Sequence, residues 1–193
     1  MRTLPANLAD RLPLAAETFA ERGFEQTRIE DVAEAVGIPK ATLYYYFAGK
    51  EEILAFLLNR TLGRMAAEIE TVLARGTSAV ERLAGVVKAQ LAVMAAEPAT
   101  CRVLLEDLGR AVRIPEVATA VERAYYAPLR RLLADGRRDG SLRAGSDPDA
   151  LAAAIFGAVT ITGLHVLVQR GGFRVDTLAR QLTDFVLHGI GVS

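Results

Sequence analysis

The stretch Ile29-Glu-Asp-Val-Ala-Glu-Ala-Val-Gly-Ile-Pro-Lys-Ala-Thr-Leu-Tyr-Tyr-Tyr-Phe47 decides the fold of the N-terminal part of the chain. Its apolar residues at positions 29, 32, 33 and 36 follow the three- and four-residue spacing of a buried helix face. Gly37 ends this helix, and a second, short helix begins at Pro39. A helix, a glycine turn and a short helix predict a corner that can place its second helix in the major groove of DNA.

The short helix has one apolar face and one face rich in tyrosine. Leu43 and Phe47 are four residues apart and are expected to face the core. The side chains left mostly outside are Lys40, Thr42, Tyr44, Tyr45 and Tyr46, although Tyr45 and Tyr46 could also be partly core residues. Three exposed aromatic side chains are costly without a partner. Lys40 and Lys50 are the only charged residues from position 35 to position 50, so positive charge is concentrated in the segment that contains this helix.

Sequence signals also mark several helix starts. Thr27-Arg-Ile-Glu30 and Ser78-Ala-Val-Glu81 both fit the capping box, in which the hydroxyl and the glutamate each accept a hydrogen bond from a backbone amide of the first turn. The first helix is expected to run to about Arg22. Pro13 is tolerated in it if Asp10 is the N-cap, and otherwise bends the helix.

The composition limits what the chain can be. With 193 residues, 51% of them hydrophobic, it can form a substantial core. Its formal net charge of zero excludes a globally basic coat for nucleic acid, so DNA contact must come from a local patch. A single cysteine, Cys101, excludes an intrachain disulfide and a cysteine-based metal site. The N-terminus lacks the apolar run of a signal peptide, and we therefore expect a cytoplasmic protein.

The chain is predicted to be all-α, with about nine helices and no sheet, because no window shows the two-residue alternation of a strand. We expect a three-helix helix-turn-helix domain at residues 1–52 and a helical domain at residues 53–193. Residues 150–168 carry no formal charge and approach the length of a membrane span, but alanine, glycine and threonine make them less apolar than such a span. They predict a buried helix that another helix can approach closely, either in a central core or at a dimer interface.

The N-terminal motifs resemble the signature of the TetR family of transcriptional regulators. The resemblance rests on Thr27-Arg-Ile-Glu-Asp-Val-Ala33, the stretch from Gly37 to Phe47, and Gly49-Lys50. Further along, Asp139-Gly-Ser-Leu-Arg143 and Asp147-Pro-Asp-Ala-Leu151 are similar to a stretch common before the penultimate helix of family members. Pro39 departs from the serine common at its position, which removes a hydroxyl cap but leaves a residue that can open a helix.

The resemblance implies DNA contacts by Thr27, Arg28, Lys40, Ala41, Thr42, Tyr44, Tyr45, Tyr46 and Lys50. Thr27 and Lys50 would clamp phosphates together with the amides of the helix ends that they open. Thr42, Tyr44 and Tyr46 match positions that usually touch phosphates. Lys40 would reach a base, for which a guanine edge is suited. Arg28 would read a base, or pair with Asp31 or Glu25 on the surface.

The resemblance also implies a body that dimerises through the last two helices, at about residues 147–171 and 176–189, and binds a largely apolar small-molecule effector. Repression is the family's commoner behaviour: a homodimer would bind a palindromic DNA operator until the effector releases it. The residues on helices that usually line the effector pocket are Met94, Leu104, Leu108, Tyr125, Tyr126, Phe156 and His165. Core packing is the alternative for Met94 and Phe156, and a core or interface position is the alternative for His165. Pro128 is expected to bend its helix or to form a surface kink.

No set of residues predicts an enzyme, a metal site or a cofactor. The two histidines, His165 and His188, are far apart, Cys101 has no partner cysteine, and no glycine-rich phosphate loop is present. Glu106-Asp107 is a lone acidic pair of the kind common on solvated helix faces. A helical module that binds protein is the remaining alternative, and it would lack the steep salt dependence of DNA binding.

Overall fold

The computed structural model describes residues 4–106, 115–142 and 147–190, and nine helices account for most of them. They are α1 (Pro13–Arg22), α2 (Ile29–Val36), α3 (Lys40–Tyr46), α4 (Lys50–Leu73), α5 (Ala79–Ala96), α6 (Pro98–Glu106), α7, α8 (Pro148–Arg170) and α9 (Val175–Ile190). Helix α7 consists of Pro115–Val121, a π-helical segment at Glu122–Tyr126, and Ala127–Arg138. A single turn at Ala6–Ala9 precedes α1, and the described ranges contain no strand. The predicted all-α class is confirmed.

The chain divides into two compact units. The first contains Met1–Thr61 and Glu97–Ala118, and the second contains Leu62–Ala96 and Thr119–Ser193. Helix α4 therefore contributes residues to both units, and α6 belongs to the unit that contains the N-terminal helices. The sequence-based division at residues 52 and 53 stays a prediction.

The first unit is held together by the apolar faces of its helices. Helix α1 packs against α2 and α6, and α2 packs against α3. As the sequence predicts, Leu43 and Phe47 are buried. They share the core of this unit with Leu12, Ala16, Phe19, Val32, Val36 and Ile53.

Two predicted helix starts are displaced in the structure. Asp10 ends the single turn at Ala6–Ala9 and is not the N-cap of α1, which begins at Pro13. Pro13 is tolerated because the first residue of a helix needs no amide hydrogen. Arg28, not Thr27, is the N-cap of α2, and its backbone amide donates to Asp31 Oδ2 at 2.8 Å. The predicted box at Thr27 and Glu30 is therefore shifted by one residue.

The turn between α2 and α3 requires glycine. Gly37 has a φ of +69°, and its amide donates to the carbonyl oxygen of Glu34. The Arg11 guanidinium donates to the carbonyl oxygen of Gly37 at 3.0 Å. A Cβ atom added at Gly37 would lie 2.1 Å from Arg11 Nη2, so a larger residue would break this contact as well as strain the backbone.

In the second unit, α5 packs against α7, α8 and α9. Helices α5 and α8 approach closely at Gly163, where an added Cβ atom would lie 2.6 Å from Met94 Cε. Asp147 caps α8 as predicted, because its Oδ1 accepts from the amide of Asp149 at 3.1 Å. The span Pro148–Gln169 is long and apolar enough to cross a membrane by length and composition alone, with a mean hydropathy of 2.1. The core helix of a globular protein meets the same criterion, and α8 packs against three helices of its own unit.

Pro128 lies within α7, two residues after the end of the π-helical segment. The amide of Ala127 donates to the carbonyl oxygen of Glu122, five residues earlier. Pro128 is buried and can donate no hydrogen bond to the preceding turn. The helix therefore widens into a π-helical turn just before this proline.

Candidate DNA-binding surface and ligand site

Helix α3 presents its polar face as the sequence predicts. Ala41, Tyr44 and Tyr45 are exposed, while Thr42 and Tyr46 are half-buried. The rings of Tyr45 and Tyr46 meet edge to face, with their centroids 4.9 Å apart. No hydroxyl caps this helix, because its N-cap is Pro39. The face therefore combines hydroxyl groups with aromatic rings on the side opposite Leu43.

Lys40 stands at the start of this face and is paired with a residue of α2. Its ammonium forms an ion pair with the carboxylate of Glu30, and the two side chains are 47% and 54% exposed. Lys40 Nζ also lies 5.6 Å from the centre of the Tyr44 ring. The hydrogen bond between the two groups raises the pKa of Lys40 and lowers the pKa of Glu30. Both groups are therefore held in their charged forms.

Arg28 presents its side chain at the exposed start of α2. Its amide is the largest cause of the lowered pKa of Asp31. Of the two surface partners that the sequence offers, Asp31 forms its ion pair with Arg22, at 2.5 Å. Arg28 is thus the N-cap of the helix whose first turn carries Glu30, the residue that pairs with Lys40.

The Thr27 side chain is directed into the first unit. It is 1% exposed, and its hydroxyl donates to the carbonyl oxygen of Gly23 at 2.8 Å. The expected contact of Thr27 with a phosphate stays a prediction. The threonine closes the turn before α2 and lies one residue before the exposed helix end.

Lys50 is likewise used inside the first unit. Its Nζ donates to the carbonyl oxygens of Phe24 at 2.7 Å, Glu25 at 2.9 Å and Thr27 at 3.1 Å. It also lies 4.7 Å from the centre of the Phe24 ring. Three acceptors match the three hydrogens of an ammonium group. Lys50 thus fastens the turn before α2 to the start of α4, and its expected phosphate contact stays a prediction.

One amide at each predicted phosphate-binding helix end has a carboxylate acceptor within the chain. Asp31 accepts from the amide of Arg28 at α2, and Glu52 Oε2 accepts from the amide of Ala48 at α4, both at 2.8 Å. Carboxylates at these positions also complement the positive ends of the helix dipoles. A phosphate that bound the Arg28 or the Ala48 amide would have to displace a carboxylate.

Three of the predicted ligand-site residues form an aromatic cluster in the second unit. The ring of Phe156 lies 4.9 Å from that of Tyr125 and 5.3 Å from that of Tyr126, measured between centroids. Tyr125 is 1% exposed, and its hydroxyl has no hydrogen-bond partner in the described part of the chain. Burial raises the pKa of this hydroxyl, so it stays protonated.

A buried carboxamide lies beside this cluster. Gln90 Nε2 donates to Thr160 Oγ1 at 2.7 Å, and Thr160 follows Phe156 by one turn of α8. Gln90 Oε1 is buried without a partner among the described residues. Sequence reasoning missed both residues. The available signal was a glutamine within the apolar run of α5, next to Leu91 and four residues before Met94.

The other predicted ligand-site residues are dispersed. Met94 is buried in the second unit against Gly163, in agreement with core packing. Leu104 is half-buried on α6 of the first unit, and Leu108 lies outside the described residues. His165 is exposed on α8, and its predicted contact with a ligand stays a prediction. The uncharged sequence of α8 gave no polar face by which to orient it.

His165 belongs to an exposed apolar face. Ile161 and Val168 on α8 are 57% and 63% exposed, and Phe185 on α9 is 69% exposed. Positions 161, 165 and 168 follow helical spacing and therefore lie on one side of α8. Large exposed apolar groups of this kind mark surfaces that bind a partner.

Cys101 is buried, and burial together with the nearby Glu97 carboxylate raises the pKa of its thiol to about 12. A thiol in this form is a poor nucleophile, which favours a structural role. Within the described ranges, no group of three or more His, Cys, Asp or Glu side chains could hold a metal ion.

Sequence comparison identifies the family to which this architecture belongs. Residues 12–56 match the profile of bacterial regulatory proteins of the tetR family, and residues 76–190 match the profile of the tetracyclin repressor-like C-terminal domain. The chain belongs to the TetR family.

TetR-family relatives span nearly the whole chain. The chain is 23% identical to the fatty acid metabolism regulator protein of Bacillus subtilis over 177 residues, 91% of each protein. It is 27% identical to the HTH-type transcriptional repressor KstR2 of Mycolicibacterium smegmatis over 192 residues, 96% of this chain and 92% of that protein. The crystal structure of FadR from Bacillus subtilis in complex with stearoyl-CoA matches 95% of this chain and 97% of its own, with a TM-score of 0.82 and 22% identity. This last likeness establishes a shared fold.

Membership of the TetR family settles the general function. The chain is a transcriptional regulator with a helix-turn-helix DNA-binding domain, and its homologues are regulators, not enzymes. The residues of the predicted corner, from Ile29 to Phe47, lie within the matched N-terminal region.

Proposed function

We propose that the chain is a cytoplasmic repressor that binds a palindromic operator as a homodimer and is released by a small-molecule effector. The observation that carries this proposal is the polar face of α3, where Lys40, Thr42 and Tyr44 stand on the side opposite the buried Leu43. A short helix anchored on one side and polar on the other is the form in which a recognition helix enters the major groove.

The DNA contacts that we propose are set by the exposure of each side chain. Lys40 reaches a guanine edge, and Arg28 reaches a base from the start of α2. The hydroxyls of Thr42, Tyr44 and Tyr46 bind phosphates, with Ala41 and Tyr45 lying against the groove. Thr27 and Lys50 support this surface through hydrogen bonds inside the first unit.

The homodimer is proposed to form through α8 and α9. Ile161, Val168 and Phe185 leave apolar surface exposed on these two helices. A second copy of the chain would cover this surface by two-fold symmetry and would present two α3 helices about 34 Å apart, or a multiple of that distance, to an operator.

The effector is proposed to bind at the aromatic cluster of the second unit. Tyr125, Tyr126 and Phe156 supply apolar surface, and the Tyr125 hydroxyl supplies a polar group without a partner in the described chain. A relative is named for fatty acid metabolism, and a structural neighbour holds stearoyl-CoA. These names support an effector with a long apolar part, and an acyl-CoA is the first compound to test.

Release is proposed to follow from a shift between two conformations of the dimer. An effector that prefers the conformation with wrongly spaced α3 helices lowers operator affinity by the ratio of its affinities for the two states. Helix α4 is the proposed route of this change, since residues Lys50–Thr61 belong to the first unit and the rest of the helix belongs to the second.

The DNA part of the proposal is tested with an operator selected by the protein from random-sequence duplexes. We expect Kd to rise steeply with salt. Lys40→Ala should raise Kd by roughly 5- to 150-fold, equivalent to about 1–3 kcal/mol for a base contact, and Tyr44→Phe should raise it by a smaller factor. Lys88→Ala removes an exposed lysine of the second unit and serves as the control. Binding that ignores salt and Lys40→Ala would instead support a protein-binding module.

The effector part is tested by adding stearoyl-CoA to the operator complex, with stearate and coenzyme A as separate controls. We expect stearoyl-CoA to release the operator and each control to be less effective. If saturating stearoyl-CoA binds the protein and leaves operator affinity unchanged, the proposed coupling is wrong. If it does not bind, the acyl-CoA class is wrong.

A further inference from the structure

We propose that Glu30 is a specificity-determining residue, which weakens binding to DNA of unrelated sequence by holding Lys40 in an ion pair that phosphates must displace. This inference rests on the proposed contact between Lys40 and DNA. It gives a function to Glu30, an acidic residue on a surface that is proposed to bind negatively charged DNA.

The position of the ion pair supports this role. Lys40 is the first residue of α3, and its ammonium is bound by the carboxylate of Glu30 in the first turn of α2. Lys40 and Lys50 are the only charged residues in the segment 35–50, and Lys50 is bound to three backbone carbonyls. Glu30 therefore neutralises the cation of α3 that stands at the proposed DNA surface.

The effect of this ion pair differs between two kinds of DNA. Binding to unrelated sequences comes almost entirely from cations that neutralise phosphates. A carboxylate paired with Lys40 takes the place of one phosphate and repels its neighbours, so such binding loses one contact. At an operator, a guanine edge accepts from Lys40 and offsets the loss of the ion pair. The carboxylate therefore increases the ratio of the affinity for the operator to the affinity for unrelated DNA.

The expected effect is small because the pair is exposed. Ion pairs between exposed side chains contribute little, and their strength falls with salt. We expect Glu30→Gln to tighten binding to a short duplex of unrelated sequence by roughly 2- to 5-fold at low salt. The matched control is Glu34→Gln, which makes the same change of charge at an exposed position of the same helix. It should tighten binding less.

A double variant separates the ion pair from a general charge effect. In the Lys40→Gln background, Glu30→Gln should tighten binding to unrelated DNA no more than Glu34→Gln does, because the cation that Glu30 holds is absent. On the selected operator, Glu30→Gln should tighten binding by a smaller factor than on unrelated DNA, so that the ratio of the two affinities falls. Circular dichroism and thermal unfolding establish that each variant is folded.

Two results would overturn the inference. Equal gains from Glu30→Gln and Glu34→Gln would show that only net charge matters, and an undiminished gain in the Lys40→Gln background would show that Glu30 does not act through Lys40. Both results leave the proposed repressor function intact. If Lys40→Gln alone does not weaken DNA binding, the proposed contact fails first, and the inference fails with it.

Discussion

Lys50 Nζ lies 2.7 Å from the carbonyl oxygen of Phe24, a residue 26 positions earlier in the chain. Through this bond and those to Glu25 and Thr27, the first residue of α4 holds the turn from which Arg28 emerges. A lysine that looks like a DNA contact in the sequence is thus part of the support of the DNA-binding surface.

Lys50→Met removes three charge-assisted hydrogen bonds but keeps the apolar stem. We expect the free energy of unfolding to fall by about 1–3 kcal/mol, measured by urea denaturation. Lys88→Met, which removes an exposed ion pair with Asp176, should change it much less. If Lys50→Met keeps wild-type stability but loses operator binding, Lys50 is a phosphate contact after all.

Thr27→Val and Thr42→Val make the same chemical change at a buried and at a half-buried site. Thr27→Val removes the bond to Gly23 and should lower stability by about 1 kcal/mol, with operator affinity of the folded protein nearly unchanged. Thr42→Val should leave stability nearly unchanged and weaken operator binding. Thermal unfolding and fluorescence anisotropy measure the two effects. The opposite pattern would return Thr27 to the DNA-binding surface.

The carboxylate of Asp31 makes the first unit sensitive to acid. Its pKa lies below the ordinary value of 3.8, mainly because it accepts from the Arg28 amide. A lowered folded-state pKa contributes stability above the unfolded-state pKa, and this contribution is lost as pH falls through the folded-state value. We expect Asp31→Asn to unfold more easily than wild type at neutral pH and to approach wild type in acid, as followed by urea titrations across pH. A constant difference between the two proteins would argue against this.

Ile161→Asp and Phe185→Asp place charge on the exposed apolar face of α8 and α9. We expect each to convert a dimer into a folded monomer. A stable interface must bury roughly 1,000 Å² or more of complementary surface, and a charged carboxylate is not complementary to an apolar face. Leu14→Asp, at an exposed position of α1, should leave the dimer intact. Analytical ultracentrifugation reports the mass in each case. A wild-type monomer, or dimeric variants, would place the interface elsewhere.

Tyr125→Phe removes a buried hydroxyl that has no partner among the described residues. Because an unsatisfied buried group costs about 1–3 kcal/mol, the variant should be as stable as wild type or more stable. Gln90→Leu is the contrasting change, since it leaves Thr160 without its donor and should lower stability. Thermal unfolding distinguishes the two. A marked loss of stability in Tyr125→Phe would mean that its hydroxyl is satisfied in the folded protein.

The two capping boxes show how far local sequence can be trusted. Ser78 and Glu81 form the predicted box, with the Ser78 amide donating to Glu81 Oε2 at 3.0 Å. The same pattern at Thr27 and Glu30 is shifted, because Asp31 offers an equivalent carboxylate one residue later. Local spacing therefore placed the helix but could not choose between adjacent acidic residues.

In the candidate sites, too, local spacing placed some residues correctly, whereas others depend on contacts between distant parts of the chain. Tyr44 and Tyr45 were predictable as exposed residues because Leu43 and Phe47 orient the short helix. Lys50 was not, since its acceptors are brought to it by folding and lie more than twenty residues away. Tyr125, Tyr126 and Phe156 were expected only as residues on helices that usually line a pocket, and their contact with one another, like the partner of Gln90, depends on how the helices of the second unit meet.

The π-helical segment at Glu122–Tyr126 has a consequence for how relatives of this protein diverge. It accommodates one residue more than a regular helix would, and each residue of an α-helix turns the chain by about 100°. A single-codon deletion there would restore a regular α-helix and leave the helix on either side facing as before, so that Arg130 would keep its ion pair with Asp149. Gaps of one residue at this point in related genes would therefore mark relatives that lost the widened turn and kept the packing of the helix after it.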